Sequence, residues 1–528
     1  MYDPKPVSIT AVGSASDPLV LLGQKQQAAY LRCYLSDLGA TSILEEPYYF
    51  DRDYLSEFSA FYSTSARGYG NVCRRLHFFS GPLLTRQRLG RCVGDAAEFA
   101  KLRNDYLGFS VVRPLPACPF GRTVLRWYPE RDGLPERVIA PSRTYTAYLC
   151  GNPLPVDGLA WQQQDTAVGA CATVALWSML HASAFDEFHA IPTTATITRA
   201  AHRTASLGSR VFPSTGLTIN QVLEAIKEQD LSPMVLPSDS EALDPMDPKS
   251  NKRIAGFTRE RFSSTCATFL RSGYTLLMAG RLLGSGLHSV CAVGFRPRPS
   301  TTKVVPGRFA LEDATVEHLY VHDDNLGPGV RFKITTLGGA SDGIVVLKPD
   351  APPRPPGKPL PVPDPCATYP DFVPQSMVVA VQSDLRIASD DLHKVGMRVA
   401  SKLSALLQNA FGTKVEGVTL GFRFVKLRDY LGRTLSQLLQ GDPVRRGEVR
   451  LQLLEDVRPM SLYLGVIRIG LRSTPLLEIL YDTTDSARNM DAFAHLVLHP
   501  GVDPFLSDLR KDHALGAAII GHSAAGAH

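Results

Sequence analysis

Between Lys348 and Pro374 the chain reads KPDAPPRPPGKPLPVPDPCATYPDFVP, a stretch carrying eleven prolines. Each proline lacks a backbone N–H and fixes φ, so neither an α-helix nor an interior strand runs through such a segment. The chain therefore divides here. The reading is a proline-rich linker over residues 349–374, a semi-rigid connector or a strap lying over a surface. With 528 residues and 57.6 kDa the chain makes two to four domains, since single cores seldom grow past about 250 residues. The expected division is an N-terminal α+β accessory region (1–150), a central domain (151–348), the linker, and a C-terminal α+β accessory region (375–528).

A formal charge of +5, with 44% hydrophobic and 20% charged residues, is ordinary for a soluble globular chain. Nucleic acid is not an expected partner, because basic clusters such as Arg74-Arg75 and Arg445-Arg446 are short and lack interleaved aromatics. The N-terminus shows no basic region followed by a sustained apolar stretch, and no window reaches the roughly 18 apolar residues a membrane span needs. The nine cysteines (33, 73, 92, 118, 150, 171, 266, 291 and 366) are odd in number, scattered, and never form C-x-x-C. That argues against a disulfide framework and a cysteine zinc site. A cytoplasmic location without membrane attachment is expected.

Helical spacing appears in QKQQAAYLRCYLSDLGA, where Ala28, Leu31, Tyr34, Leu35 and Leu38 share a face, and around DYLSEFSAFYSTS. GFSVVRPLP reads as a strand closed by prolines. After residue 155 a long helix following Cys171 and a second near TINQVLEAIKEQ give way to strand-like YTLLMAG, HSVCAVGF, HLYVHDD and DGIVVLK. Helix first and sheet after predicts α+β. Past the linker, DDLHKVGMRVASKLSALLQNAF predicts an amphipathic helix, whereas VRLQLLEDV, SLYLGVIRIG and PLLEILYDT read as strands or short buried segments.

The segment QQQDTAVGACATVALWSML (162–180) sets one cysteine between a polar, glycine-containing approach and an apolar helical run. A catalytic thiol needs to become a thiolate near neutral pH, and unpaired N–H groups and the macrodipole at a helix start favour that anion. A side-chain amide among Gln162, Gln163 and Gln164 can donate to a developing oxyanion beside the cysteine's own N–H.

Glutamine, then Gly-Ala-Cys171-Ala-Thr opening a helix, then Gly-Leu-His288-Ser-Val-Cys-Ala-Val-Gly-Phe opening a strand, then Tyr-Val-His-Asp323-Asp324-Asn-Leu-Gly-Pro at a strand end, resembles papain-like cysteine peptidases in order and setting. It looks closest to the bacteriocin-processing peptidase domains of bacterial exporters, over about 190 residues, roughly 155 to 348. The resemblance implies a papain-like central domain, with the N-terminal helix carrying the cysteine and an antiparallel sheet carrying histidine and aspartate. It implies Cys171 as nucleophile, His288 as the base that returns its proton to the leaving amine, Asp323 as the group orienting the imidazole, and Gln164 as oxyanion donor. In the family the glutamine lies six residues before the cysteine, a place held here by Asp165, so Gln164 or Gln163 serves. Asp323 and Asp324 remain alternatives, because one residue of slip on a strand reverses which side chain faces the histidine.

The other histidines invite less. His181 lies about 15 Å along a helix from Cys171, and it and His189 read as structural. His318 and His322 sit on one strand face about 13 Å apart, too far for one metal. Cys291 reads as packing, and GSGLH (284–288) as an approach to His288 rather than a phosphate loop. The expectation is a cofactor-independent, metal-free cysteine hydrolase acting on a protein or peptide substrate, with the flanking regions as partner-recognition, substrate-guiding or autoinhibitory modules. Competing readings are a Cys-His-Asp acyltransferase or transglutaminase, and a non-catalytic scaffold that binds peptide in the same cleft.

Overall fold

The computed structural model describes the whole chain except residues 1–5, 24, 131, 132, 134, 186–188, 204–209, 248, 299–309, 312–315, 339–342, 352–359, 412–417, 457–461, 472, 473, 485–491 and 500–528. It is a mixed α+β protein. Its contacts divide into two units. The first takes residues 1–258, 273–296 and 317–380; the second takes 259–272, 297–316 and 381–528. The expected cut at residue 150 coincides with no division, and the central segment gives one helix to the second unit.

In the first unit, five strands pair in chain order as an antiparallel sheet: Ser8–Ala11, Ser42–Tyr49, Cys73–Phe79, Tyr106–Val112 and Phe120–Leu125. The helix Gln26–Asp37 puts Ala28, Leu31 and Leu35 fully inside, as its periodicity predicts, and the helix Arg52–Ala60 is capped by the Asp51 carboxylate. An antiparallel hairpin, Arg143–Leu149 with Asn152–Gly158, leads to the short helix Cys171–Met179.

Beyond it lies a closed barrel. Strands Leu276–Leu282, Gly286–Pro297, Val316–Asp323, Gly327–Leu337, Ile344–Pro349 and Phe372–Gln382 follow one another round, and the last pairs back onto the first. Leu231–Pro237 adds beside the last strand. Sequence reading expected an antiparallel sheet without saying whether it closes; closure removes its edges. Closure depends on Gly280, where a Cβ would sit 2.1 Å from the Val373 carbonyl oxygen.

The proline-rich segment is thus not a spacer throughout. Its C-terminal end enters the barrel as Phe372–Gln382, and Pro374 is accommodated where the register shifts between Ala279 and Gly280, the kind of bulge at which a strand proline loses no needed hydrogen bond. Residues 352–359 of the expected linker lie outside the described residues.

The second unit holds a five-stranded sheet in the order Ala310–Leu311, Val418–Lys426, Tyr463–Leu471, Thr474–Asp482, Ala492–Val497. The helix Arg259–Arg271 joins it because Phe269 meets Phe424 at 5.7 Å, while Thr268 bonds His393 and Arg261 pairs with Asp390. VRLQLLEDV, expected as a strand or short buried segment, lies as far as Asp456 in the helix Pro443–Asp456; Asp442 accepts from the Arg445 N–H and Pro443 opens the first turn, both start signals for a helix.

Candidate active site

Cys171 is the first residue of its helix and is half-buried. Its approach is organised by one carboxylate. Asp165 Oδ1 accepts from the N–H groups of Ala167 (2.7 Å), Val168 (2.6 Å) and Gly169 (3.1 Å), and the Asp165 N–H returns a bond to the Gly169 carbonyl. The DTAVG turn is therefore wrapped round Asp165, which delivers the thiol to the helix start. Thr198 Oγ1 and the Ser214 N–H hold the carbonyls of Val168 and Ala167.

Behind this turn lies Arg113, whose guanidinium meets Glu57 at 3.0 Å, Asp165 at 3.7 Å, and the carbonyls of Cys118 and Gln163. Glu57 also accepts from Gln162 Nε2 and Thr194 Oγ1, each at 2.6 Å. Burial, eased by Arg113 but reinforced by Asp165, leaves the Glu57 carboxyl above its ordinary range.

His288, third in its strand, is buried, with the Cys171 thiol near enough to act on its titration. Its Nε2 lies 3.2 Å from Asp323 Oδ1 and 3.4 Å from Asp324 Oδ1. Burial opposes the imidazolium, but the charges of Asp323 and Asp324 and the bonds to Asp323 and Cys171 outweigh it, so His288 is held well above its ordinary pKa. The Phe372 ring stands edge-on to the imidazole at 6.2 Å.

Asp323 ends its strand, where the register shifts between Val321 and Asp323. That irregularity and the turn after it let two consecutive carboxylates reach one histidine, which regular alternation would forbid. They differ in their partners. Asp323 Oδ1 accepts from the Asn325 N–H (2.9 Å) and Oδ2 from the Tyr369 hydroxyl (2.7 Å). Burial pushes its pKa up, but His288, Tyr369 and Asn325 pull it below the ordinary value. Neither carboxylate oxygen of Asp324 has a hydrogen-bond partner, and burial raises its pKa to about 7. The turn is fixed from outside by Trp161 Nε1 on the Asp323 carbonyl and Gln27 Nε2 on the Asp324 carbonyl.

Gln164 reaches the same turn, yet its amide nitrogen donates to Asn325 Oδ1 at 2.6 Å. Gln163 is buried, and its side-chain oxygen accepts from the Phe120 N–H. His181 bonds Tyr145, away from the thiol. His318 meets Asp350 and Arg331. His322 uses one ring nitrogen on the Leu159 carbonyl and the other on the Gly329 N–H, with burial pushing it down to about 4. Cys291 is fully buried, which pushes its thiol up to about 12.

Among the described residues, His288, Asp323 and Asp324 could together offer a metal ion three atoms within 4.8 Å of one another. No disulfide joins the nine cysteines, all of them among the described residues, and no described helix is long and apolar enough to cross a membrane. Sequence reading missed Tyr369, Gln27, and the Glu57–Arg113 support. Only Asp165 left a local signal, an Asx-type turn in DTAVG. No protein-family model matches this chain, and no curated protein or solved structure matches it.

Proposed function

We propose that the chain is a thiol hydrolase of papain-like design that cleaves peptide or isopeptide bonds in a reducing compartment. What supports this most is a single buried imidazole that lies 3.2 Å from a carboxylate and feels the thiol at a helix start. Cys171 gives its proton to His288 and its sulfur attacks the acyl carbon. The oxyanion so formed faces the unpaired N–H groups of the first helical turn. Collapse breaks the C–N bond as His288 passes its proton to the leaving amine, and a thioester remains on Cys171. Water, deprotonated by His288, then releases the acid and regenerates the thiol. Asp323 keeps Nε2 protonated and the ring oriented throughout. Gln164 joins as oxyanion donor only by releasing Asn325, so the backbone N–H of Cys171 carries that role first.

The test is acyl transfer from a p-nitrophenyl ester by the full chain. The expected result is a burst of one p-nitrophenol per chain, an acyl adduct on Cys171 by mass spectrometry, and loss of both in Cys171→Ser and His288→Ala. Turnover that continues in water alone marks a hydrolase, and turnover that waits for an added primary amine marks an acyltransferase. No burst, with the ester reacting indiscriminately at several cysteines, favours the non-catalytic scaffold instead.

A further inference from the structure

The proline-rich segment is the sequence's strongest feature, and the mechanism above gives it no part. We infer that Tyr369, delivered by that segment, is a positioning residue: its hydroxyl fixes Asp323 as the carboxylate that holds His288 for the Cys171 thiol. This rests on the hydrolase reading.

Tyr369 is set in place from both sides. Upstream, the Cys366 N–H bonds Asp364 Oδ1, the Ala367 N–H bonds the Asp364 carbonyl and the Tyr369 N–H bonds the Cys366 carbonyl, two successive turns. Gln26 Nε2 fastens the Pro365 carbonyl to the N-terminal helix at 3.1 Å. Downstream, Pro370 restricts the Tyr369 backbone, and Phe372 enters the barrel opposite Leu282 and Leu347 with its ring against His288. The phenol thus arrives at Asp323 Oδ2 from a rigid frame. Burial keeps the phenol far above its ordinary pKa, so it stays a donor at any working pH.

The two carboxyls stand almost equally far from His288 Nε2, at 3.2 and 3.4 Å. Distance does not choose between them; donors do. A carboxylate that accepts hydrogen bonds is stabilised as the anion, and one buried without them is not. Asp323 has the Tyr369 hydroxyl at 2.7 Å and the Asn325 N–H at 2.9 Å, whereas Asp324 lacks the phenol and keeps only the weaker help of the neighbouring backbone. Without the phenol, Asp323 is a poorer anion, supports the imidazolium less, and the thiol gives up its proton at higher pH.

The experiment follows alkylation of Cys171 by iodoacetamide in the full-length protein, by peptide mass spectrometry from about pH 5 to about pH 9. Wild type, Tyr369→Phe, Asp323→Asn and the double variant form a cycle. Tyr369→Phe is expected to slow Cys171 by about three- to ten-fold at neutral pH and to move the acid limb up by about 0.5–1 unit, with no further effect in the Asp323→Asn background. Replacing Tyr369 by 3-fluorotyrosine, a stronger donor of nearly the same shape, is expected to move the limb down, and carries the test if the phenylalanine variant folds poorly. Limbs that stay in place, or an equal loss in both backgrounds at every pH, overturn the inference while leaving the triad standing. A wild-type Cys171 no faster than the other cysteines overturns the triad, and the inference with it.

Discussion

Two buried charge clusters flank the nucleophile, and each has one base and two carboxyls. Glu57, Arg113 and Asp165 lie behind the cysteine turn; His288, Asp323 and Asp324 lie before it. In the first, the base is a guanidinium that never loses its proton, and its carboxylates receive Gln162, Thr194 and three backbone N–H groups. In the second, the base is an imidazole, and one carboxyl is left without a donor. Burial alone therefore does not separate structural charge from chemical charge. A base that can exchange its proton, facing one satisfied and one unsatisfied acceptor, does so.

The comparison is broken most severely at Arg113. Arg113→Met leaves two buried carboxylates without their cation and is expected to cost about 3–5 kcal/mol, read by urea unfolding. A loss under about 1 kcal/mol would mean the cluster is not held by its charge. Next comes Cys171→Ser, expected to lower ester turnover by at least about 100-fold, equivalent to about 2.7 kcal/mol, with the melting temperature nearly unchanged. Retained turnover removes Cys171 from the reaction.

A finer contrast separates the neighbouring aspartates. Asp323→Asn is expected to lower turnover by about ten-fold or more, and Asp324→Asn by less than about three-fold; equal losses would show that the two share the orienting role. A further expected effect is on stability against pH. The folded Asp324 carboxyl titrates near 7, above its unfolded value near 3.9. The fold therefore keeps what this group allows below about pH 4 and loses stability as pH rises through about 7. The melting temperature of Asp324→Asn relative to wild type is expected to climb across that window, and a constant difference would assign the raised pKa elsewhere.

What the sequence made legible was local. A glycine-containing approach, a helix start, and two strands with a histidine and paired aspartates each mark themselves within a dozen residues, and Cys171, His288 and Asp323 do converge. The supports were not legible, because Gln27, Glu57, Arg113 and Tyr369 reach the site across long stretches of chain, and nothing beside them records where tertiary packing will carry them. Proline content misled in one respect. It reports which hydrogen bonds a segment cannot make, not where it ends, and here the segment ends as a barrel strand. The Pro443–Asp456 helix was read as a strand or short buried segment because a short apolar run such as LQLL fits either period, while its start signal at Pro443 lay eight residues upstream of Leu451.

Whether His288 ionises the Cys171 thiol is read from the relative alkylation of Cys171 and Cys150 below neutral pH. Cys150 is exposed and Cys171 half-buried, so accessibility alone favours Cys150. If His288 draws the proton from the thiol beside it, Cys171 reacts first with iodoacetamide at about pH 6, and His288→Ala reverses the order. Cys150 reacting first in the wild-type protein, with His288→Ala changing nothing, would contradict the account.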